Sequence, residues 1–267
     1  MVYLCFLVAG MSSRFGKLKQ LAVVGNNNET LIEYSVKQAL HTDVSKIFFV
    51  TNRDTEHHFV KIFGKKYSGI PVVYVEQRYD RTVRKKPWGT SDAVCSIIEH
   101  LDSDPEKVLM VNSDDIYGTD AFRLAYNLSR KYKDVNLIGG TSVKNTLPGT
   151  GKVNRGIIQI DNDNNVVSIY EKYGISTDDK DFLDKIANVN FICMDKECLI
   201  KLYYLVDRFK MENISSDTAE CILCNQLSDL IEDGDIKMKY FDIGHKVVGL
   251  THPDDENIVR DFIQNKN

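Results

Sequence analysis

Apolar and polar positions alternate along this chain in two rhythms. Residues 2–8, 46–52, 70–75, 107–111 and 135–141 are short, nearly unbroken apolar runs. Runs of that length predict strands buried on both faces, as in a parallel sheet. Between them, apolar residues recur at helical spacing over 30–40, 55–63, 92–100 and 120–132, with Thr30 placed to cap the first of these helices. Strand–helix alternation of this kind predicts an α/β fold, a doubly wound, mostly parallel sheet with right-handed crossovers. The rhythm then changes. Residues 155–160, 166–170 and 188–193 are predicted strands, the first two separated by the turn-forming run Asp161-Asn162-Asp163-Asn164-Asn165. This β-rich extension is expected to cap the carboxyl edge of the sheet. Helices at 198–209 and 218–232, strands at 236–242 and 246–250, and a closing helix at 256–264 complete the pattern. No internal repeat is visible.

Composition narrows the function classes. A chain of 267 residues can bury one sizeable core, or a main domain with a small lobe. A net charge of −4 and a pI near 5.9 give no electrostatic footprint for nucleic acid. No apolar run approaches the ~18 residues of a membrane span, and the N-terminal run lacks the flanks of a secretory signal. A cytoplasmic protein with six reduced cysteines is the expectation. Cys193, Cys198, Cys221 and Cys224 have poor spacing for zinc, and the apolar stretch around Cys221 and Cys224 favours buried thiols. The pair Lys85-Lys86 and the run Asp178-Asp179-Lys180-Asp181 are most simply solvated loops.

The chemistry starts where the first strand ends. Ala9, Gly10, Met11, Ser12 and Ser13 are mostly small, and Arg14 and Lys19 follow. Small residues let successive backbone N–H groups approach an anion, and the two cations add fixed charge where a polyphosphate would lie. It is not a Walker A loop, because Gly10 and Gly16 are six apart and Lys17 is followed by Leu18. The dinucleotide fingerprint also fails, since its second and third glycines are missing. At the end of the predicted strand 107–111 stands Asn112-Ser113-Asp114-Asp115-Ile116-Tyr117-Gly118. Ligands in open α/β sheets sit beyond the carboxyl ends of strands, and two adjacent acids there call for a cation or solvent. Residues 87–90, Pro-Trp-Gly-Thr, hold the only tryptophan, just before a helix.

Residues 7–21 resemble the signature of the sugar nucleotidyltransferases (nucleotide-sugar pyrophosphorylases), Leu-Ala-Ala-Gly-x-Gly-Ser-Arg followed by a lysine, with Ser12 where the family usually has glycine. The Asp-Asp stretch is similar to the family's metal segment, and Gly89-Thr90-Ser91-Asp92-Ala93 to its nucleobase motif. The resemblance spans about residues 3–263. It implies a Rossmann-like nucleotidyltransferase fold, GT-A-like, with a β-rich sugar-binding lobe. The chain is then one domain over 1–267, with a nucleotide-binding half (1–145) and a half carrying the sugar site and closing helices (146–267). The implied activity is Mg²⁺-dependent joining of an NTP to a sugar 1-phosphate, with UTP or dTTP as the NTP.

By the same resemblance, residues 9–13 wrap the triphosphate, Arg14 grips the leaving pyrophosphate and Lys19 the reacting phosphates. Asp114 binds the metal with Asp115 beside it, while Gly89 and Thr90 face the base and Gln77 hydrogen-bonds it. Gly156, Glu171 and Asn190 face the sugar, and Lys172 takes the sugar phosphate. The second metal position falls on Thr251, where the family usually has Asp or Asn, with Asp254 three residues on. Two other functions fit the pattern. One is a cytidylyltransferase acting on an alcohol phosphate such as phosphocholine. The other is a catalytically silent nucleotide-sugar sensor, suggested by the missing acid at 251.

Overall fold

The buried strands of the first half lie side by side because helices cover both of their faces. The computed structural model describes residues 1–10, 18–102, 107–147, 151–250 and 255–264. Its first half runs β1 (Val2–Leu7), α1 (Leu31–Ala39), β2 (Lys46–Thr51), α2 (Glu56–Phe63), β3 (Lys66–Tyr67), β4 (Ile70–Glu76) and α3 (Thr90–Cys95). There follow β5 (Lys107–Asn112), β6 (Asp115–Ile116), α4 (Thr119–Lys131) and β7 (Asn136–Ser142). The second half is β8 (Val153–Ile160), β9 (Val166–Ile175), α5 (Lys180–Leu183), β10 (Ile186–Met194), α6 (Lys196–Glu212) and α7 (Leu223–Glu232). It closes with β11 (Met238–Asp242), β12 (Val248–Gly249) and α8 (Asp255–Gln264).

The main sheet has the order β11-β7-β10-β5-β1-β2-β4-β3. β5, β1, β2 and β4 are mutually parallel, as are β7 and β11. Alternate side chains of each strand leave opposite faces. Leu4 and Phe6 pack with Ile32, Phe59, Phe63 and Phe122 of α1, α2 and α4. Tyr3 and Cys5 pack with Val94, Leu202 and Leu227 of α3, α6 and α7. Around Phe49, the rings of Phe6, Phe63 and Tyr74 stack at 5.7, 4.6 and 5.8 Å. Burying each such side chain stabilises the fold by roughly 1.5–3 kcal/mol.

The alternation expected from the sequence is present, with four differences. β7 does belong to the sheet but does not adjoin β5, because β10 enters antiparallel between them. β8 pairs with β10 and with β9, so the β-rich extension grows out of the sheet itself. The helix expected over 92–100 is α3 followed by a separate 3-10 turn, Ile98–His100. The helix expected from 218 begins only at Leu223, because the backbone before it is used elsewhere. The Cys221 N–H donates to the Trp88 carbonyl at 2.6 Å, and its carbonyl accepts from the Ser91 N–H at 3.1 Å.

Thr30 caps α1 as its position implied. Its side chain accepts from the Glu33 N–H, and the Glu33 carboxylate accepts from the Thr30 N–H at 2.9 Å, a complete capping box. All six cysteines are buried and unbridged. No helix among the described residues is long and apolar enough to cross a membrane.

Candidate active site

The carboxyl ends of β1, β2 and β5 are tied together before any ligand is considered. Ser113 donates to the Leu7 carbonyl at 2.6 Å, and Asn52 donates its amide to the Ala9 carbonyl at 2.8 Å. The Asn52 side-chain oxygen meanwhile accepts from the N–H groups of Asp54 and Thr55. The loop after β1 therefore leaves from a fixed origin. Gly10, the last described residue before 18, is exposed with open space around it. Met11, Ser12, Ser13 and Arg14, and at the far end Thr251 and Asp254, lie outside the described residues.

Lys19, on the short 3-10 turn Lys19–Leu21, reaches back across the strand ends and forms an ion pair with Asp114. Both side chains stay about a quarter accessible (22% and 25%), so the pair is open to an incoming ligand. Asp115 is held differently. One of its oxygens accepts from the Asn112 amide at 3.0 Å and stands 3.4 Å from the Tyr117 hydroxyl, which donates to the Val189 carbonyl. β12 closes over it: a side chain on Gly249 would collide with the Asp115 carboxylate and the Asp114 carbonyl. Burial, and then the neighbouring Asp114, push the Asp115 carboxyl up to about 6.

These acids open into a cleft of about 610 Å³ between the strand ends and the β8–β9 extension. Asp114, Asp115, Gly156, Glu171 and Asn190 all line it, so five of the sequence-predicted site residues converge there, with Lys19 joined through its ion pair. The local backbone explains two of them. Asn190 sits at a register shift of β10 with φ +54°, a left-handed conformation that Asn tolerates, and its N–H donates to the Asn188 side chain at 2.8 Å. Gly156 leaves room for Cys224, whose sulfur would lie 2.8 Å from any Cβ placed there. The Cys224 thiol is pushed up by burial, is 5% exposed, and forms part of the wall.

Lys172 does not line this cleft; its ammonium lies 4.8 Å from the centre of the Phe182 ring. Arg155, its partner across the β8–β9 ladder, does. Arg155, Lys152 and Lys246 are cleft residues that sequence reasoning missed. Lys152 and Arg155 do lie in the run Gly151-Lys152-Val153-Asn154-Arg155-Gly156, which resembles a sugar-side segment, but only its Gly156 was given a role.

Gln77, Gly89 and Thr90 form a second cluster outside the cleft. The Gln77 amide donates to the Gly89 carbonyl at 2.9 Å and to Asp92 at 2.8 Å, and the other Asp92 oxygen pairs with Lys210 of α6. Gly89 has φ +100°, and a Cβ there would stand 2.6 Å from the Cys221 carbonyl oxygen. The Thr90 hydroxyl accepts from the Leu223 N–H at 3.0 Å and so caps α7. Close approach at Gly89 is real, and it is made by the backbone of Cys221. Lys85 and Lys86 remain solvated, as expected, and pair at the surface with Asp217 and Glu220 of the stretch before α7.

Hard oxygen donors at a strand end, small residues after β1 and a polar cleft suit phosphate chemistry. Among the described residues, no group of three or more His, Cys, Asp and Glu could hold a metal by itself. Mg²⁺ takes one or two protein carboxylates and completes its shell with water and phosphate oxygens, so Asp114 with Asp115 behind it fits that ion.

Known structures share this fold. The structure superposes on a Bacillus anthracis protein provisionally named glucose-1-phosphate thymidylyltransferase, with TM-score 0.71, 14% identity and 100% and 97% of the two chains covered. A UDP-glucose pyrophosphorylase complexed with UDP-glucose gives TM-score 0.71 at 14% identity, with both chains fully covered. The inositol-1-phosphate CTP transferase of T. maritima gives 0.68 at 14%, covering 98% and 94%. At this identity the likeness is one of fold. No curated protein sequence matches the chain. The profile described as "Nucleotidyl transferase" does match, over residues 13–177, which takes in Arg14 and Lys19, the Asp114–Asp115 strand end and the Glu171 edge of the cleft. With this match over more than half its length, the chain belongs to the nucleotidyl transferase family.

Proposed function

We propose that this protein joins an NTP, UTP or dTTP, to a sugar 1-phosphate in a Mg²⁺-dependent reaction that releases pyrophosphate. The observation that carries the reading is the Lys19–Asp114 ion pair, set at the sheet's carboxyl edge where the polar cleft opens. A phosphate oxygen of the sugar 1-phosphate attacks the α-phosphorus in line. The bond from that phosphorus to the β-phosphate oxygen breaks, and pyrophosphate leaves. The attacking oxygen is already ionised, so no general base is required.

Catalysis on this reading is positioning plus charge neutralisation. Asp114 would hold Mg²⁺, which supplies charge neutralisation at the phosphates when bound. Lys19, the present partner of Asp114, is of a length and charge to meet the same phosphates. Arg14 is proposed to do so from the loop after β1, with the backbone of residues 9–13. Gly156, Glu171 and Asn190 are proposed to face the sugar from the cleft wall. Gln77, Gly89 and Thr90 are proposed to lie under the base, and the bonds of Gln77 to Gly89 and Asp92 and of Thr90 to Leu223 would make that platform rigid.

The test is pyrophosphate release by the full chain with Mg²⁺, each of the common NTPs, and glucose 1-phosphate or N-acetylglucosamine 1-phosphate. Asp114→Asn and Lys19→Ala should each lower turnover by about 100-fold or more, the scale of losing one charge contact to the reacting group. Thermal unfolding should stay near that of the wild type, because both side chains are on the rim. Wild-type turnover in Asp114→Asn would remove this site from the reaction.

A further inference from the structure

A phosphate brought into the cleft would meet the carboxylates of Asp115 and Glu171. Like charges at short range in a partly desolvated site repel by several kcal/mol. Something in the cleft must offset them. Lys152 and Lys246 line it but are exposed, and Lys172 lies outside it against Phe182. Arg155 is half-buried, and the charges of both Asp115 and Glu171 act on it.

The hydrogen bonds of Arg155 are unusual for a half-buried guanidinium. Nε donates to the Thr146 hydroxyl at 3.0 Å, one terminal nitrogen to the Thr146 carbonyl at 2.6 Å, and the other to the Asn154 carbonyl at 2.9 Å. Every one of these acceptors is neutral. Among the described residues, no carboxylate forms an ion pair with it. Of the five N–H donors of a guanidinium, three are engaged, leaving one on each terminal nitrogen. The head group is thus pinned in orientation while keeping a two-donor fork and its charge. Even a half-buried cation held this way is partly desolvated with no anion to meet it, and a fork of two N–H groups matches two oxygens of a phosphate.

We propose that Arg155, rather than Lys172, receives the phosphate of the acceptor substrate. This rests on the reaction proposed above and names the residue that orients its nucleophile. Arg155 and Lys172 face each other across the β8–β9 ladder, so the two positions offer a cation from neighbouring places. Only Arg155 combines a place in the cleft with a fixed head group.

Steady-state pyrophosphate release separates the roles. In Arg155→Gln, the KM for the acceptor, glucose 1-phosphate or N-acetylglucosamine 1-phosphate, should rise at least about tenfold, the loss of one charge-assisted hydrogen bond. The KM for the NTP should stay within about twofold of wild type, whereas a merely structural Arg155 would move both together. Arg155→Lys should recover part of the loss, and Lys172→Gln should change acceptor KM less than Arg155→Gln does. An unchanged acceptor KM in Arg155→Gln, or a larger effect from Lys172→Gln, overturns the proposal.

Calorimetric titration with inorganic phosphate gives a second, activity-free measurement. The wild-type chain should bind it, and Arg155→Gln and Arg155→Lys should bind it more weakly in that order. No binding by the wild type, or equal binding by all three, overturns the proposal. If no acceptor is turned over while phosphate binding still depends on Arg155, the reaction fails and the anion site stands.

Discussion

At the scale of single residues, the clearest charge effect lies away from the cleft, at Glu29. Its carboxylate accepts from the Lys37 ammonium at 2.9 Å and from the Asn27 N–H at 2.8 Å, and the Lys37 contact is the main reason its carboxyl falls to about 2. A carboxyl depressed in the folded state adds stability that is fully present above its unfolded value near 4.5, and that stability is lost as pH falls toward 2. Lys37 is half exposed, so solvent screening trims the contribution to about 1 kcal/mol. Glu29→Gln should therefore melt below the wild type at pH 7, and the gap should close between pH 4.5 and 2. Melting curves of both proteins across that range check it; a gap independent of pH would mean the loss is packing rather than charge. The N-cap at Thr30 was legible in the sequence because capping is a matter of near neighbours. The pull of Lys37 on Glu29 depends on the turn geometry of residues 25–29, which no spacing rule encodes.

Elements show where sequence reasoning stops. Gly89 was singled out as a close-approach glycine, and the backbone against it belongs to Cys221, 132 positions along the chain. The stretch before α7 is thereby stitched to the loop before α3. Arg84 lies 3.3 Å from the centre of the Trp88 ring and donates to the carbonyls of Ser216 and Ala219 at 2.5 and 2.6 Å. α7 then delivers Cys224 to the cleft wall, so one continuous piece of chain links the Gly89 loop to the Glu171 edge. Gly89→Ala forces a side chain into a left-handed backbone and against a carbonyl, a cost of about 1–3 kcal/mol. The melting temperature should drop by several degrees, at about 2–4 °C per kcal/mol in a chain of this size class. Limited proteolysis should quicken between residues 213 and 222. An unchanged melting point and digestion pattern would mean that Cys221 yields at little cost. The helix expected from residue 218 failed for the same reason, because its first turn would have consumed backbone groups that Trp88, Thr90 and Ser91 already hold.

For the whole molecule, strand existence was legible and strand order was not. Short apolar runs announced β1, β2, β4, β5 and β7, while nothing in their spacing said that β10 would lie between β5 and β7. That placement has a consequence for how the chain is made. While the first 145 residues are on the ribosome, β5 has β1 on one side and a bare hydrogen-bonding edge on the other. The strand that covers it is not complete until Met194 has been synthesised. Bare edges template association with other chains, and pairings between distant segments are slow to form. The two halves should thus be inseparable in folding even though each carries its own share of the site. A fragment of residues 1–145 is expected to show no cooperative thermal transition and to aggregate at micromolar concentration. Co-expression with 146–267 should restore a soluble, cooperatively melting complex. A monomeric 1–145 with a sharp melt would show that the nascent chain can park a finished half-sheet and wait.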